Sequence, residues 1–308
     1  MIIINYLLIC LIFGTTFLAI KVGVDASAPP FFSAGIRFFL AGLLLFLWMV
    51  WRKKASFKLL LHKEMLLTGI GLTFGTFATL YWAEQYVSSG IAAVLSATAP
   101  MMILVLQMLV WRQRANANAI VGCLLGFVGI ILLVLPQLTV TADIMWLLGC
   151  CAIILGQIFY GGGALYAKKV IQQFPQASPI ALNAVQMIYG GLLLLALALC
   201  TEHIDVRGML TPRAIGSLLY LIIIGSMVGH SLFYWLVAKT NPIFPATWLY
   251  ISPTIALTCG VLFYGERITW VSAVGVIIII AGTIYANSDN LKLHSPGWRV
   301  LLSKIRNP

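Results

Sequence analysis

The residue best suited to specific chemistry in this sequence is an arginine inside an apolar stretch. Arg37 lies within the apolar run 31–51. A guanidinium placed in hydrocarbon costs at least about 2.5–3.5 kcal/mol, so we expect Arg37 to face the interior of a helix bundle or a water-filled cavity. There it can bind a substrate carboxylate through two hydrogen bonds. The alternative is a structural arginine that bonds backbone carbonyls or extends to the nearby membrane surface.

Other polar and aromatic side chains occur in pairs three or four residues apart, which places both members on one face of a helix. Such groups can line a cavity for a small polar molecule, with aromatic rings contacting its amine or its apolar part. Taken one by one, they also fit hydrogen bonds between helices and aromatic anchors near membrane interfaces. We predict that some of them line a substrate path. The pairs are Gln157 and Tyr160, Asn183 and Gln186, His230 and Tyr234, and Tyr81 and Gln85, with Trp82 and Trp235 next to two of them.

Titratable groups inside the apolar runs are few, and this limits the chemistry. His230 is the only residue in the middle of a run whose side chain normally titrates near neutral pH, which makes it the candidate for proton coupling. The alternative is a neutral histidine packed in the core. The acids Glu64, Glu84, Asp143 and Glu266 all lie near run ends. We therefore predict that a buried acid for binding cations or carrying protons is missing, and that substrates are neutral or zwitterionic.

Motifs for catalysis are also missing from the sequence. It contains no GxSxG, HExxH, Walker or Rossmann pattern, and no deep pair of acid, base or nucleophile. We therefore predict no enzymatic activity, no catalytic residue, no metal site and no cofactor. Energy for the work of the protein is expected to come from gradients.

The composition indicates what surrounds these residues. Of 308 residues, 61% are hydrophobic and only 9% are charged, whereas soluble domains contain about 25% charged residues. The chain cannot cover a water-facing surface, which excludes a soluble enzyme and a disordered chain. Its formal net charge of +11 would suggest a nucleic-acid partner in a soluble protein, but the cations lie in short gaps between apolar runs. We expect the lipid bilayer as a partner, and no nucleic acid.

Ten apolar runs are long enough to cross a membrane as helices. They are continuous and longer than the strands of a membrane barrel, so we predict an all-α membrane protein with ten transmembrane helices. The predicted spans are 3–21, 31–51, 64–86, 90–110, 118–136, 144–167, 179–200, 214–238, 243–264 and 270–287.

The distribution of Lys and Arg predicts the orientation of these spans in the cell membrane. With both termini in the cytoplasm, fourteen of these residues lie in inner segments and four in outer segments, as the positive-inside rule requires. Residues 288–308 form a basic cytoplasmic tail, in which Trp298, Leu301, Leu302 and Ile305 share one face. This tail is either a short helix on the anionic inner leaflet or a frayed end.

An internal repeat divides the chain into two halves. Shifting the sequence by 153 residues aligns 81–133 with 234–286 without a gap and matches, among others, Trp82 with Trp235 and Pro100 with Pro253. We predict one five-helix repeat at 1–137 and a second at 138–287. Because five is an odd number, the second repeat enters the membrane inverted, as in alternating-access transporters whose substrate site lies between the halves. The alternative is a duplication that only builds a stable bundle.

Several motifs in both halves resemble those of a known superfamily. They are Gly14-Thr15-Thr16-Phe17 with Ile20-Lys21, Pro29-Pro30 with Arg37-Phe38, Tyr81-Trp82 with Ala99-Pro100, and later Tyr234-Trp235, Ser252-Pro253 and Tyr264-Gly265-Glu266. To about residue 287 the chain resembles the drug/metabolite transporter superfamily, specifically the ten-helix type with two EamA domains. The resemblance implies a bacterial inner-membrane carrier with cytoplasmic termini, of a kind that often exports amino acids or related metabolites.

Glycines and prolines mark the places where spans can bend. Gly161, Gly162 and Gly163 weaken the helix in span six, where they can form a hinge or an unwound segment, or simply admit a neighbouring helix. Pro100 and Pro253 occupy equivalent positions in spans four and nine. We predict that they kink both helices and take part in gating.

Together these features predict a secondary transporter that exports amino acids or similar small neutral or zwitterionic metabolites across the plasma membrane by alternating access. Its partners would be a small-molecule substrate and, as candidate coupling ion, the proton, and it would act as a monomer or homodimer. One alternative is an uptake or exchange permease for nucleobases, vitamins or sugars. Another is a membrane sensor or assembly subunit, which would be expected to have a sizeable soluble domain that the short gaps between spans do not provide.

Overall fold

The computed structural model describes residues 1–26, 28–87, 89–110, 112, 116–135, 143–204, 210–252, 254–255 and 269–288. Within these residues the regular structure is helical throughout. A short 3₁₀ helix at Phe57–Leu61 joins the second and third helices. The longer helices are α1 (Ile2–Asp25), α2 (Pro30–Trp51), α3 (Lys63–Ala83), α4 (Ser89–Ser96), α5 (Ala99–Leu109), α6 (Ala117–Val134), α7 (Ile144–Gln173), α8 (Pro179–Thr201), α9 (Pro212–Lys239), α10 (Ile243–Ser252) and α11 (Trp270–Ala286).

Seven helical segments of the described residues are long and apolar enough to cross a membrane. They are α1, α2, α3, the pair α4–α5 over Ile91–Leu109, α7, α8 and α9. Three shorter apolar helices, Ala117–Leu133, Ile243–Ser252 and Ala273–Ala286, overlap the predicted spans five, nine and ten, and the second of them covers only the first part of span nine. The predicted residues Pro253 and 289–308 lie outside the described part of the chain.

Helix α7 continues past the end of predicted span six at residue 167 and ends at Gln173. The prediction stopped the span at two lysines, which are costly in hydrocarbon. In the structure, Lys168 donates hydrogen bonds to three backbone carbonyls near the end of α9, and Lys169 is exposed. Both charges are therefore accommodated without ending the helix.

The helices begin where the sequence supplies a cap or a proline. Asp143 accepts a hydrogen bond from the backbone N–H of Trp146 at the start of α7, and Thr211 accepts one from Ala214 at the start of α9. Pro30, the first residue of α2, lacks the N–H that has no partner in a first turn. The carboxylate of Glu202 accepts the next two N–H groups of that turn, which fixes the end of α8 against the start of α2.

Two extensive helix pairs join the two halves of the chain. Helix α2 packs along α8, and α6 packs along α11, so predicted span two meets span seven and span five meets span ten. The approach is close enough to require glycine: a Cβ at Gly42 of α2 would lie 2.7 Å from the carbonyl oxygen of Ala184. Each pair therefore joins helices at equivalent positions of the repeat.

Helices α3 and α9 each contain a π-helical segment, at Ile70–Gly75 and at Leu221–His230. The offset of 153 residues carries 70–75 onto 223–228, so the two segments coincide in the repeat. π-Helical turns are rare and frequently lie at functional sites, because they widen the helix and redirect its side chains.

Span four is interrupted rather than kinked. Helix α4 ends at Ser96 and α5 begins at Ala99, with a turn between them. Pro100 lies in the first turn of α5, where proline is tolerated, so it starts a new helix instead of bending one in its interior. Its predicted partner Pro253 lies outside the described residues.

The three glycines of span six lie inside the continuous helix α7, so no unwound segment forms there. A Cβ at Gly163 would lie 2.7 Å from the backbone nitrogen of Leu72, and one at Gly161 would lie 3.2 Å from that of Ile103. These two positions therefore let α3 and α5 approach α7 closely. This is the alternative in which the glycines simply admit a neighbouring helix.

Lysines occupy opposite ends of the bundle. Lys21, near the end of α1, donates to the carbonyl oxygen of Glu84 at the end of α3, and the first half of α9 packs here through the bond from Ser217 to Ala19. Lys168, near the end of α7, donates to the carbonyl oxygen of Val237 near the end of α9. Since the two contacts lie at opposite ends of α9, we call them the Lys21 end and the Lys168 end.

Candidate functional site

A central cavity lies between helices of both halves. Residues of α1, α2, α3 and α4 line it from the first half, and residues of α7, α9 and α10 line it from the second. Its walls are mostly apolar and aromatic, as in small-molecule sites where a few polar groups fix the ligand. The lining residues that carry polar groups are Thr16, Arg37, Thr76, Ser96, Gln157, Tyr160, His230 and Trp248.

Arg37 lies in the wall of this cavity and connects the two halves. Its side chain is 1% exposed, its Nε donates to Ser226 Oγ at 2.9 Å, and its Nη1 donates to the Tyr81 hydroxyl at 3.2 Å. The guanidinium also lies over the rings of Phe38 and Phe77, with Cζ 4.6 Å and 5.2 Å from the ring centroids. Among the described residues, these two hydrogen bonds use two of the five N–H donors of Arg37. The other donors can bind an anionic group of a ligand.

His230 contributes to the same wall from the end of the π-helical segment of α9. Its ring lies among three phenyl rings, those of Phe13, Phe38 and Phe77, at centroid distances of 5.1, 5.5 and 5.8 Å. A charged imidazolium in this apolar setting, next to Arg37, would be strongly disfavoured. The arrangement fits the packed neutral histidine better than the proton carrier that the sequence left open.

Gln157 and Tyr160 of α7 face the cavity, as the sequence predicts for a path-lining pair. The Gln157 amide donates weakly to Ser96 Oγ at 3.4 Å, and the Tyr160 ring packs on Phe233. The Tyr160 hydroxyl and the indole N–H of Trp248 are buried without a partner of acceptable geometry among the described residues. The two groups face each other, and a ligand that enters can replace this contact with hydrogen bonds of its own.

The remaining pairs lie elsewhere. Gln186 and Asn183 are fully buried between helices, where Gln186 accepts from Thr73 at 2.8 Å and donates to Asn183 at 3.1 Å. They thus join α8 to the π-helical segment of α3. Tyr234 is buried and Trp235 half-buried in the core, and neither is among the residues that line the cavity.

Of the predicted residues Tyr81, Trp82 and Gln85, only Tyr81 reaches the site, through its bond with Arg37. The Trp82 ring packs on Tyr86 at a centroid distance of 5.2 Å, and Gln85 is exposed and donates back to the Trp82 carbonyl. Both lie away from the cavity.

Several contributors to the site were missed by the sequence analysis, among them Ser226 and Trp248. Ser226 lies one turn before His230 on α9, so the helical spacing could have identified it. Trp248 lines the cavity, and its ring centroid lies 4.7 Å from that of Phe13. The equivalent position in the first half of the repeat is Leu95, so the repeat does not indicate a functional residue here.

The prediction that no acid is buried is wrong. Glu84 lies one residue beyond the end of α3, and its side chain is 0% exposed. Closeness to the end of an apolar run therefore does not mean closeness to water here, because α1 and its Lys21 side chain cover this position.

The cavity encloses about 50 Å³ in this conformation. Small-molecule pockets usually enclose about 300–1,000 Å³. There is room for water and not for a metabolite, so a ligand can enter only when the helices around the cavity separate. Among the described residues, no group of His, Cys, Asp and Glu is placed to hold a metal ion.

The sequence profile of the EamA-like transporter family matches residues 1–135 and 147–288. The chain belongs to this family. It is therefore a membrane transporter, in agreement with its membrane-length apolar helices. The match covers both halves in which the internal repeat was recognised.

Named relatives agree with this assignment. The chain is 29% identical to the uncharacterized inner membrane transporter YedA of Escherichia coli K12, over 87% of this chain and 85% of the relative. It is 25% identical to the probable amino-acid metabolite efflux pump of Salmonella typhimurium, over 91% of this chain and 92% of the relative. A solved crystal structure that is 15% identical covers 95% of this chain and 98% of its own with a TM-score of 0.75, which shows a shared fold.

Proposed function

We propose that this protein is a ten-helix carrier, made of inverted five-helix repeats at 1–137 and 138–287, that exports amino acids or related small zwitterionic metabolites by alternating access. The observation that carries the proposal is the central cavity, because both halves line it and it contains one guanidinium among aromatic rings. A carboxylate can pair with Arg37 while the aromatic wall receives an apolar side chain or an amine.

Export and the amino-acid class rest on the relative named as an amino-acid metabolite efflux pump. The cell (inner) membrane with cytoplasmic termini rests on the Lys and Arg distribution and on the inner-membrane relative. In this proposal the substrate needs no covalent chemistry and the protein needs no cofactor. Each half would rock against the other, and the closed cavity would be the occluded stage of that cycle.

Counterflow in proteoliposomes tests the proposal without assuming a coupling ion. Vesicles containing the purified full-length protein are loaded with unlabelled amino acids, nucleobases, vitamins and sugars, and uptake of each labelled class is followed against empty vesicles. We expect transient accumulation of labelled amino acids. Accumulation of another class alone would replace the substrate proposal, and a flat result with folded protein would remove it.

A pair of tyrosines tests whether the cavity is the substrate site. Tyr160→Phe removes only a hydroxyl in the cavity wall, and we expect it to raise the half-saturating substrate concentration severalfold. Tyr250→Phe removes a hydroxyl from a tyrosine that is also buried but does not line the cavity. Equal effects of the two changes on half-saturation would contradict the placement of the substrate.

A further inference from the structure

Glu84 is a buried acid that the transport proposal does not use. Neither carboxylate oxygen has a hydrogen-bond partner among the described residues, and the side chain is 0% exposed. A carboxylate without partners is costly to bury, whereas the protonated acid is not. A group in this position therefore persists in the closed structure as a neutral acid and becomes ionised where water can reach it.

The charges around Glu84 come from two neighbouring helices and from its own. Lys21 and Asp25 lie on α1, Arg37 lies on α2, and Tyr81 precedes Glu84 by one turn on α3. The Lys21 ammonium bonds the backbone carbonyl of Glu84 at 3.1 Å and the Asp25 carboxylate at 2.9 Å, and not the Glu84 carboxylate. Burial raises the pKa of Glu84 well above its usual range, Lys21 and Arg37 partly oppose this, and Asp25 adds to it.

We propose that Glu84 is a proton-binding site that couples closure of the Lys21 end to the uptake of one proton. This inference rests on the proposed transport function and assigns its coupling ion. When the Lys21 end opens, water reaches the group as a carboxylate that faces Lys21, its proton having left on the other side of the membrane. When the end closes, the carboxylate takes a proton from water on that side and is buried neutral.

The site also connects to the cavity. Tyr81 bonds Arg37 in the cavity wall, and Arg37 and Lys21 both interact with the Glu84 carboxyl. When the Lys168 end opens the cavity to water, the O–H bond of Glu84 breaks, the proton passes to that water, and Arg37 and Lys21 stabilise the carboxylate that remains. One proton then crosses in the direction opposite to an exported substrate.

The repeat supports a specific role for this acid. The position equivalent to Glu84 in the second half is Val237, whose carbonyl oxygen accepts from Lys168 just as that of Glu84 accepts from Lys21. Both lysine contacts close an end of the bundle, so the contact itself does not require an acid. In the described part of the structure, a buried carboxyl accompanies the lysine contact at the Lys21 end only.

Infrared spectroscopy of the full-length protein in lipid tests the proton site without any substrate. The carbonyl stretch of a protonated carboxylic acid is separate from that of a carboxylate, and it is followed as the pH is raised from acidic to alkaline values. We expect the wild type to show this band at neutral pH and Glu84→Gln to lose it. A neutral-pH spectrum without the band, or one that Glu84→Gln leaves unchanged, would overturn the proposal.

Two neighbouring variants keep the test decisive if Glu84→Gln does not fold. Lys21→Gln removes a cation that favours the ionised form, so the band should persist to higher pH than in the wild type. Asp25→Asn removes a negative charge and releases Lys21, so the band should disappear at lower pH. Asp25 is itself exposed, which makes this variant a control for the loss of a nearby carboxyl. If the pH at which the band disappears is unchanged in both variants, a protonated Glu84 at this position is refuted.

Transport of a labelled amino-acid mixture tests the coupling. With wild-type protein, a pH gradient should change the initial rate relative to no gradient, and in Glu84→Gln this ratio should fall to about one. Counterflow by the wild type without any response to the gradient would reject the coupling and leave the transport function intact. Absence of wild-type counterflow would reject the transport function, while the infrared band would still decide the proton site.

Discussion

Arg37 illustrates how one charged side chain is accommodated in an apolar bundle. Its two hydrogen bonds connect the halves of the chain, since Tyr81 belongs to the first and Ser226 to the second. Gly225 leaves the necessary room, because a Cβ there would lie 3.2 Å from the Arg37 Nη2. Arg37 is the residue best suited to bind a substrate. It is thus also part of the contact that must change whenever the two halves separate.

Removing the serine partner should measure this contribution. Ser226→Ala withdraws the acceptor of the Arg37 Nε–H, and hydrogen bonds to buried charged groups contribute about 1.5–3 kcal/mol. We expect a loss of about 1–3 kcal/mol in stability, seen as a lower melting temperature of the purified protein. Ser231→Ala on the same helix is the control, because its buried hydroxyl has no partner among the described residues. Similar melting temperatures for both variants would show that the Arg37 bond adds little.

Residue-level prediction succeeded where the residue type is unusual for its setting. A lone arginine in an apolar run must face the interior, and Arg37 does. Glu84 was misjudged because distance along the chain from a run end was taken as distance from water, whereas its burial depends on α1 covering the end of α3. That contact joins residues 63 positions apart, which hydropathy along the chain does not reveal.

At the scale of elements, the glycines of α7 differ from one another according to what they face. A Cβ at Gly163 would lie 2.7 Å from the backbone of α3, while the nearest atom to one at Gly162 would be the end of the Leu106 side chain at 3.9 Å. The run of three glycines predicts a weak helix, but it cannot say which glycine a neighbour approaches, because that depends on the crossing of α3 and α7.

Single alanine substitutions separate close packing from hinge motion. Gly163→Ala should lower the stability by about 1–3 kcal/mol, because an added methyl group forces α3 and α7 apart. Gly162→Ala should be neutral or stabilising by up to about 1 kcal/mol, since alanine favours helix more than glycine does. Thermal melting measures both, and counterflow shows whether the stabilised helix still transports. A strong transport defect in a stable Gly162→Ala protein would instead indicate a hinge.

Other features of the elements were only partly predictable. The proline in span four indicated a disturbance, but the result is a break between Ser96 and Ala99, since the first turn of a new helix accepts proline without loss. The π-helical segments had no prediction at all. Their place in the repeat became visible only when the structure showed both.

At the scale of the whole molecule, the outer surface agrees with a lipid environment. Large apolar side chains such as Trp51, Leu199 and Ile277 are 75%, 72% and 67% exposed. Soluble proteins do not present so much contiguous apolar surface. The class of fold was therefore predictable from composition. The cavity was not, because Phe13, Gln157 and Trp248 come from distant parts of the chain and meet only after the halves pack.

The orientation of the molecule follows from its charges and can be checked directly. With fourteen Lys and Arg residues on one side and four on the other, we expect both termini in the cytoplasm. A green fluorescent protein fused to the C-terminus should fluoresce, and alkaline phosphatase fused there should be inactive. The reverse pattern would mean either an odd number of spans, which leaves the Lys21 end outside, or an inverted insertion, which would place that end inside the cell.

The lysine contacts at the two ends are unequal. Lys168 bonds the carbonyl oxygens of Val237, Ala238 and Thr240, whereas among the described residues Lys21 bonds one carbonyl and is shared with Asp25. We expect an empty carrier to open more readily at its Lys21 end, because the lysine contact there has fewer hydrogen bonds to break. If that end faces outward, the return of the unloaded protein to the inward-open form is the slow step of each cycle. Exchange of one substrate molecule for another is then faster than net export.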